Sequence, residues 1–284
     1  MREVSLIEVT KNIREMCIEA NYFLEEDVKK ALNRACKTES SPIGISVLEQ
    51  LEENLEIAEK EMIPICQDTG MAVIFLEIGQ DVHLIDGDLS EAVNEGVRQG
   101  YEEGFLRKSV VNDPLERVNT GDNTPAIIHM EIVPGDKVKI SLSPKGFGSE
   151  NMSRIFMLKP SDGLEGVKKS VLRAVEEAGP NACPPFVVGV GIGGDFEKAA
   201  ILSKKALMRE LGAGSESKYR QDYVDDLEEE LLKEANELGL GPAGLGGKNT
   251  VLAVNIETYP THIAGLPVAV NICCHVDRHK SRII

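Results

Sequence analysis

The feature that most constrains the fold of this chain is the order of its hydrophobic periodicities. Apolar residues recur every three or four positions through the first sixty residues, as in amphipathic helices. Later, short apolar runs typical of buried strands mix with helical patterns without strict alternation, which favours an α+β fold over a doubly wound sheet. N-terminal helices should therefore be followed by mixed sheets with packed helices. Helices are expected over 5–24, 24–37, 40–62, 87–104, 163–179, 195–211 and 223–239, and strands over 71–79, 125–133, 136–144, 185–194, 251–260 and 266–274.

Length and turn signals suggest how these elements are organised. A chain of 284 residues can bury a substantial core. We expect a single domain over 1–284, with a helical N-terminal part (1–62) and a mixed α/β part (63–284). The apolar segments 125–133 and 136–144 are joined through Pro134-Gly135-Asp136, a turn sequence that predicts a β-hairpin.

The charge of the chain excludes several classes of partner. It has 31 Lys and Arg against 47 Asp and Glu, for a formal net charge of −16. Binding to nucleic acid or to an anionic membrane surface needs a basic face, so neither is expected to be the main partner. A small anionic substrate, held by a few local cations, stays compatible with this charge. The N-terminal residues mix charged and apolar side chains, unlike a signal peptide, and we expect a cytoplasmic protein.

A glycine pattern at 189–194 imitates a nucleotide-binding motif. The sequence GVGIGG follows an apolar strand and precedes a helix, as GxGxxG does in dinucleotide-binding folds. Such folds continue with a second strand ending in Asp or Glu about 20 residues later, whereas here the helix leads to a polar loop and another helix. We therefore expect these glycines to allow close backbone packing beside the loop that carries Cys183.

The six cysteines divide into two groups. Cys17 and Cys36 lie within helical patterns and are expected to be small buried hydrophobes. Cys66 and Cys183 each precede an apolar strand, and Cys274 follows one, so these three thiols could converge at one edge of a sheet. Their wide separation matches no zinc-finger or ferredoxin spacing, and the pattern alone leaves a shared metal site open.

The sequence around these cysteines resembles class I, iron–sulfur-dependent fumarate hydratases and tartrate dehydratases. The resemblance runs in matching order from Cys66 to the C-terminus, and it is to the N-terminal domain, or to the α subunit of two-chain members. The matching segments are PICQDTG, LRKSVVNDP, NTGDNTPA, KGFGSEN, CPPFVVGVGIGG and YPTHIAGLPVAVN, followed by the late cysteine.

The resemblance implies a 4Fe-4S cluster held by three cysteines, with one iron not bound by cysteine. The matching positions are Cys66, Cys183 and Cys274. A cluster with three thiolate ligands keeps an open iron that can act as a Lewis acid, unlike an electron carrier with four. Cys273 is a rival to Cys274, because the chain departs from the family pattern with Cys273 before the ligand and His275 after it. Adjacent strand residues point to opposite faces, so only one of the two should bind.

The same resemblance implies roles for residues that have ordinary alternatives. Asp68 is expected to transfer a proton at the carbon next to a substrate carboxylate, although it could simply form an Asx-turn before Gly70. Arg107 should clamp a carboxylate. His262 should bind substrate, although alone it would be an ordinary loop histidine. The segment 119–126 is expected to have a structural role beside the site. The remaining predicted substrate-binding residues are Gln67, Lys145, Gly146 and Gly148.

The predicted function is reversible hydration of fumarate to (S)-malate by the α subunit of an iron–sulfur hydro-lyase. Single-chain family members carry a C-terminal domain that supplies further Arg, Lys and Thr residues, so this chain should act with a separate β subunit, in an α2β2 assembly. Dehydration of L-tartrate is the alternative within the class. Two alternatives from other classes are a non-catalytic zinc-binding scaffold, with Cys66, Cys183, Cys274 and His275 as ligands, and a thiol-based redox sensor without metal.

Overall fold

The computed structural model describes all residues, Met1–Ile284, and its fold is α+β as predicted. Helices and strands follow one another without strict alternation. The helices are α1 (Leu6–Tyr22), α2 (Glu26–Thr38), α3 (Pro42–Glu61), α4 (Leu89–Glu103), α5 (Phe147–Glu150), α6 (Gly163–Ala178), α7 (Phe196–Ala206) and α8 (Val224–Glu237). The strands are β1 (Arg2–Ser5), β2 (Met71–Gly79), β3 (Val82–Ile85), β4 (Ile127–Val133), β5 (Val138–Lys145), β6 (Arg154–Leu158), β7 (Phe186–Gly194), β8 (Val251–Thr261), β9 (Leu266–Cys273) and β10 (Lys280–Ile283).

The chain divides into two compact units, each built from separate stretches of sequence. Unit 1 comprises Met1–Leu24, Leu55–Phe147 and Arg278–Ile284. Unit 2 comprises Glu25–Asn54 and Gly148–Asp277. The segment 1–62, expected to form one helical part, thus contributes residues to both units. The single-domain organisation stays a prediction.

Unit 1 is built on a four-stranded sheet in the order β10-β5-β2-β4, and β1 pairs with β3 in a separate two-stranded sheet. β2 is apolar along nearly its whole length and lies between two neighbours, as expected for a central strand. Helices α1 and α4 pack with the four-stranded sheet around one apolar core. The side chain of Asp88 accepts the backbone N–H of Glu91 and caps α4, as its position before the helical pattern predicts.

The hairpin predicted from Pro134-Gly135-Asp136 is wrong. β4 and β5 do not pair with each other, because β2 lies between them, parallel to β4 and antiparallel to β5. The end of β2 also bonds to the connection that was expected to close the hairpin. The N–H of Gly79 donates to the carbonyl of Lys137 (2.8 Å), and that of Asp81 to the carbonyl of Gly135 (3.0 Å). The turn sequence correctly indicated that the chain reverses its direction, but it could not show that β2 lies between β4 and β5.

Unit 2 is built on a four-stranded sheet in the order β6-β9-β7-β8. β7 is parallel to β8 and antiparallel to β9. Side chains from one face of β7 join an apolar core with α6 and α8. Gly189 and Gly191 belong to the opposite face, where a Cβ atom would overlap the carbonyl oxygens of Ser203 and Ala199 in α7. Close packing at these glycines is therefore confirmed, but their partner is α7 rather than the loop of Cys183.

A buried carboxylate fastens two loops within unit 2. Glu39 follows α2 and is 7% exposed. Its carboxylate accepts the backbone N–H groups of Ser40 and Ser41 (2.8 and 2.9 Å) and of Lys248 and Asn249 (3.0 Å each), together with the Asn249 side-chain amide (2.9 Å). Burial by itself would raise the pKa of Glu39, but these hydrogen bonds outweigh burial and lower that pKa from 4.5 to about 2.

Glu39→Gln should lower the free energy of unfolding at pH 7 by roughly 2–3 kcal/mol, because an amide nitrogen cannot accept these hydrogen bonds. The folded-state pKa lies below the unfolded one, so the stabilisation is fully present above about pH 4.5 and is lost as the pH falls towards 2. Urea unfolding of wild type and variant from pH 7 to pH 3 measures this difference. Glu53→Gln, an exposed change on α3, is the matched control. A gap between wild type and Glu39→Gln that stays constant with pH would contradict the assignment.

Candidate functional site

The loop between α3 and β2 carries the first group of predicted site residues. Cys66 is half-buried in this loop, and its Sγ accepts the backbone N–H of Asp68 (3.4 Å). Gln67 is exposed, with Oε1 3.5 Å from the same sulfur. Cysteine binds metals through its sulfur, and loop positions of this kind commonly carry such ligands. The loop therefore holds Cys66 in an arrangement suited to a ligand.

The carboxylate of Asp68 is held at both oxygens by backbone groups. The N–H of Gly70 donates to Oδ1 (2.9 Å), which is the Asx-turn considered as the structural alternative. The N–H of Phe147 donates to Oδ2 (3.0 Å) from the start of α5. Lys145 and Gly146 directly precede this contact, and the buried Lys145 donates from Nζ to the Gly146 carbonyl (3.3 Å). Unit 1 therefore brings Asp68 together with two other predicted substrate-binding residues.

Arg107 lies in an exposed loop that is bonded to the same region. The Thr69 hydroxyl donates to the Arg107 carbonyl oxygen (3.0 Å). Asn123, fully buried, accepts the N–H groups of Ser109 and Val110 and donates to the Gly70 carbonyl oxygen (3.2 Å). Asn123 thus joins the Arg107 loop to the loop of Cys66, which is the structural role expected for segment 119–126.

A buried hydroxyl further fixes the end of the cysteine loop. Tyr101 in α4 is fully buried, and its hydroxyl donates to the Thr69 carbonyl oxygen (2.7 Å), with the Gly70 carbonyl oxygen at 3.1 Å. Burial raises the pKa of Tyr101, so the hydroxyl stays protonated and remains a donor. A side chain of α4 therefore holds the backbone at Thr69 and Gly70 in place.

In unit 2, Cys183 and Cys274 belong to the same edge of the sheet. Cys183 follows the turn 179–182, three residues before β7 begins, and Cys274 directly follows β9. The antiparallel register pairs Val187 with Cys273, so β9 ends where β7 starts. Nδ1 of His275 lies 3.1 Å from the Cys183 carbonyl oxygen and links the two segments. The predicted convergence at a sheet edge is thus present for these two cysteines.

Cys273 and Cys274 have different environments. Cys273 is 4% exposed and packs with Val187 and Leu207 in an apolar cluster. Cys274 is half-buried, with Sγ 3.9 Å from the Val276 carbonyl oxygen. Their side chains therefore follow the alternation expected of a strand, with Cys273 in the core.

Two further predicted residues of unit 2 lie at different places. Gly148 in α5 is close to the turn before Cys183, since a Cβ atom there would be 3.9 Å from the Asn181 carbonyl oxygen. His262 lies in the exposed turn between β8 and β9, where its Nδ1 accepts the Ala264 N–H (3.2 Å). This turn is at the opposite end of β9 from Cys274, roughly 24 Å away along an eight-residue strand. The structure does not bring His262 to the edge with Cys183 and Cys274.

The two remaining cysteines, Cys17 and Cys36, lie in helices away from the strand ends. No cysteine is in a disulfide. Cys17 is fully buried and burial raises its thiol pKa, as predicted for core filler, whereas Cys36 is half-buried and does not meet that prediction. No group of three or more His, Cys, Asp or Glu side chains in the chain is arranged to hold a metal ion. No helix combines the length and apolar character needed to cross a membrane.

Sequence reasoning missed one charged residue beside the site. Arg278 follows Asp277 and is 3% exposed, and its Nη1 donates to the carbonyl oxygen of Asp68 (2.9 Å) and to Oδ1 of Asn21 (2.9 Å). Its position four residues after Cys274 was visible in the sequence. Nothing in the surrounding letters HVDRHKSR distinguishes a buried arginine from its exposed neighbours, so burial was the missing information.

Comparison with known proteins identifies a family to which this chain is similar. Residues 10–282 match the pattern of the family described as fumarate hydratase (fumerase). The chain is 44% identical over 284 residues to the putative L(+)-tartrate dehydratase subunit alpha of Methanocaldococcus jannaschii, with 98% of each chain covered. It is 33% identical over 265 residues to the L(+)-tartrate dehydratase subunit alpha of Escherichia coli, covering 92% of this chain and 86% of that protein.

The α+β fold and a loop that carries a thiol and a carboxylate, together with these matches, define an enzyme subunit of the hydro-lyase class. The chain belongs to the fumarate hydratase (fumerase) family. The name subunit alpha, shared by its relatives, implies a partner subunit.

Proposed function

We propose that this chain is the α subunit of an iron–sulfur hydro-lyase that interconverts fumarate and (S)-malate together with a separate β subunit. The observation that carries the proposal is the grouping of Cys66, Gln67, Asp68, Arg107 and Gly146 around one hydrogen-bonded loop of unit 1. Membership of the fumarate hydratase family supports the same reaction class.

Cys66, Cys183 and Cys274 are proposed to hold a 4Fe-4S cluster with one iron not bound by cysteine. The donor set fits, because the three thiols lie at loop or strand-end positions, outside disulfides, and Cys66 already accepts an N–H group at sulfur. The burial of Cys273 in an apolar cluster of unit 2 favours Cys274 as the third ligand. When bound, the cluster supplies a Lewis acid for the hydroxyl and a carboxylate of the substrate.

The residues of the chain then orient the substrate and move a proton. Asp68 would take the proton from the carbon next to a carboxylate during dehydration and return it during hydration. The Gly70 and Phe147 N–H groups fix its orientation, and each carboxylate oxygen keeps a second lone pair for the proton. Arg107 would bind a substrate carboxylate through its guanidinium fork, with Gln67, Lys145, Gly146 and Gly148 as further substrate-binding residues.

Dehydration of L-tartrate is the second candidate, favoured by the names of the relatives. Tartrate carries one more hydroxyl than malate, so the same proton transfer and the same carboxylate clamp would serve both reactions. The two substrates differ only in a group that has to be accommodated beside the reacting carbons. Selection between them is proposed to depend partly on the β subunit.

The proposed assembly is α2β2, in the cytoplasm. His262 lies at the sheet end opposite to Cys183 and Cys274, roughly 24 Å away. Its predicted contact with substrate would therefore have to be made in the site of a second α chain, which an α2β2 assembly provides.

Anaerobic purification of the chain with its co-expressed β subunit, followed by metal and sulfide analysis and assays of fumarate, (S)-malate and L-tartrate, tests the proposal. We expect iron with acid-labile sulfide, and a higher kcat/KM for fumarate than for L-tartrate. Activity should decay in air and return with ferrous iron and a reductant, because an open iron is accessible to oxidants. Zinc without sulfide would support the scaffold alternative instead, and a preference for L-tartrate would establish the second candidate.

A further inference from the structure

Arg278 is a buried cation, 3% exposed, and the preceding residue, Asp277, is buried as well. Both hydrogen bonds of the Arg278 side chain leave from Nη1 and end on neutral oxygens, the Asp68 carbonyl and the Asn21 amide. A guanidinium group carries five N–H donors, and these two hydrogen bonds use only one of its three nitrogens. The other two nitrogens are therefore available to a further acceptor.

The unused edge of the guanidinium group has the geometry to bind a carboxylate. Nε is buried and has no hydrogen-bond partner, and Nη2 donates to no protein atom. These two nitrogens form one side of the planar fork, the arrangement that binds a carboxylate through two parallel hydrogen bonds. The nearest site carboxylate does not fill this place, because Asp68 is held by the Gly70 and Phe147 N–H groups.

Gly146 places no side chain between Asp68 and Arg278. A Cβ atom there would lie 3.2 Å from Oδ2 of Asp68 and 3.6 Å from Nη2 of Arg278. A residue with a side chain would thus occupy the gap between the proposed proton-transfer group and the guanidinium. Glycine leaves that gap open.

We propose that Arg278 is a carboxylate-binding residue of the substrate site, using Nη2 and Nε. Its ligand is one carboxylate of the dicarboxylate substrate, bound beside Asp68. This inference rests on the proposed function, and it adds a second carboxylate clamp to Arg107 within the same unit. Arg278 would thus provide from a buried position what Arg107 provides from an exposed one.

The test compares a dicarboxylate with its monoamide in the complex of this chain and its β subunit. Succinate and succinamate differ by one charge and cannot be hydrated, so isothermal titration calorimetry gives equilibrium dissociation constants. The wild-type complex should bind succinate about tenfold or more tightly than succinamate. In Arg278→Gln the succinate affinity should fall about 10- to 100-fold and the ratio of the two constants should approach one. Arg278→Lys, which keeps the charge but loses the fork, should give an intermediate ratio.

Controls separate binding from structural support. Arg282→Gln removes an arginine that pairs with Glu15 and Glu19 away from the site, and should leave both constants unchanged. Gly146→Ala should weaken succinate binding while the thermal unfolding temperature stays near that of wild type, which keeps the test available if Arg278→Gln unfolds.

Two results would overturn the inference. One of them would also reject the proposed function, and the other would not. Equal weakening of succinate and succinamate by Arg278→Gln, or no change in either, would show that Arg278 only supports the Asp68 loop or has no part in binding. That result would leave the proposed function intact. A wild-type complex that binds neither ligand would reject the dicarboxylate site itself, and with it both proposals.

Discussion

Replacing Cys66, Cys183 or Cys274 with serine, one at a time, should remove the cluster and lower hydro-lyase activity by at least about 1,000-fold. A serine hydroxyl does not ionise at neutral pH and is a poor ligand for iron–sulfur clusters, which are held by thiolates. The measurements are iron and acid-labile sulfide per chain, visible absorption, and turnover of the complex with the β subunit. Thermal unfolding of each variant shows whether the fold is retained.

Cys273→Ala is the matched control for this series. Cys273 packs with Val187 and Leu207, so alanine should cost about 1 kcal/mol of stability while the iron content stays at the wild-type level. Alanine is preferable to serine at this position, because serine would place a hydroxyl in an apolar cluster. Loss of the cluster in Cys273→Ala together with its retention in Cys274→Ser would reverse the proposed ligand assignment.

The isolated chain, even with its cluster rebuilt, should hydrate fumarate at a rate at least about 1,000-fold below that of the complex with the β subunit. Arg107 is exposed in unit 1, and an ion pair between exposed groups contributes only about 0–1 kcal/mol. The net charge of −16 gives no general attraction for a dianion. The β subunit is therefore expected to bring further Arg and Lys residues and to exclude water, which strengthens every charge interaction in the site.

Titration of the reconstituted chain with purified β subunit measures this dependence. Activity should rise with β subunit and saturate at a fixed ratio of the two chains. Arg107→Ala should abolish most of the activity of the complex but should not change the ratio at which it saturates. Full specific activity of the chain alone would reject the two-subunit proposal and would leave the cluster assignment in place.

Elements with strong internal periodicity were predictable from the sequence. The apolar run of β2 was placed at its observed bounds, and the helices α1, α4 and α6 were located within a few residues, because each buries a regular face. The shared sheet edge of Cys183 and Cys274 also follows from strands that start and end beside them. Local hydrophobic periodicity is therefore sufficient to predict an element when that element buries a regular face.

Features that depend on distant partners were not predictable. The Pro134-Gly135-Asp136 turn signalled a reversal, but no local residue showed that β2 would lie between β4 and β5. The short strand β10 was missed because its pairing with β5 is a tertiary property. Gly189 and Gly191 are required because α7 packs directly against them, and this packing could not be read from the local sequence. The burial of Arg278 likewise depends on which elements pack around it.

The discontinuity of unit 1 has a consequence for the order in which the protein can mature on the ribosome. All the residues of unit 2 have been synthesised once residue 277 has been added, whereas unit 1 still lacks Arg278–Ile284 at that point. A nascent chain at this stage has neither the β10 edge of the first sheet nor the guanidinium that holds the Asp68 carbonyl. The loop of Cys66 can therefore reach its final form only after Arg278 has been added and has folded back onto unit 1.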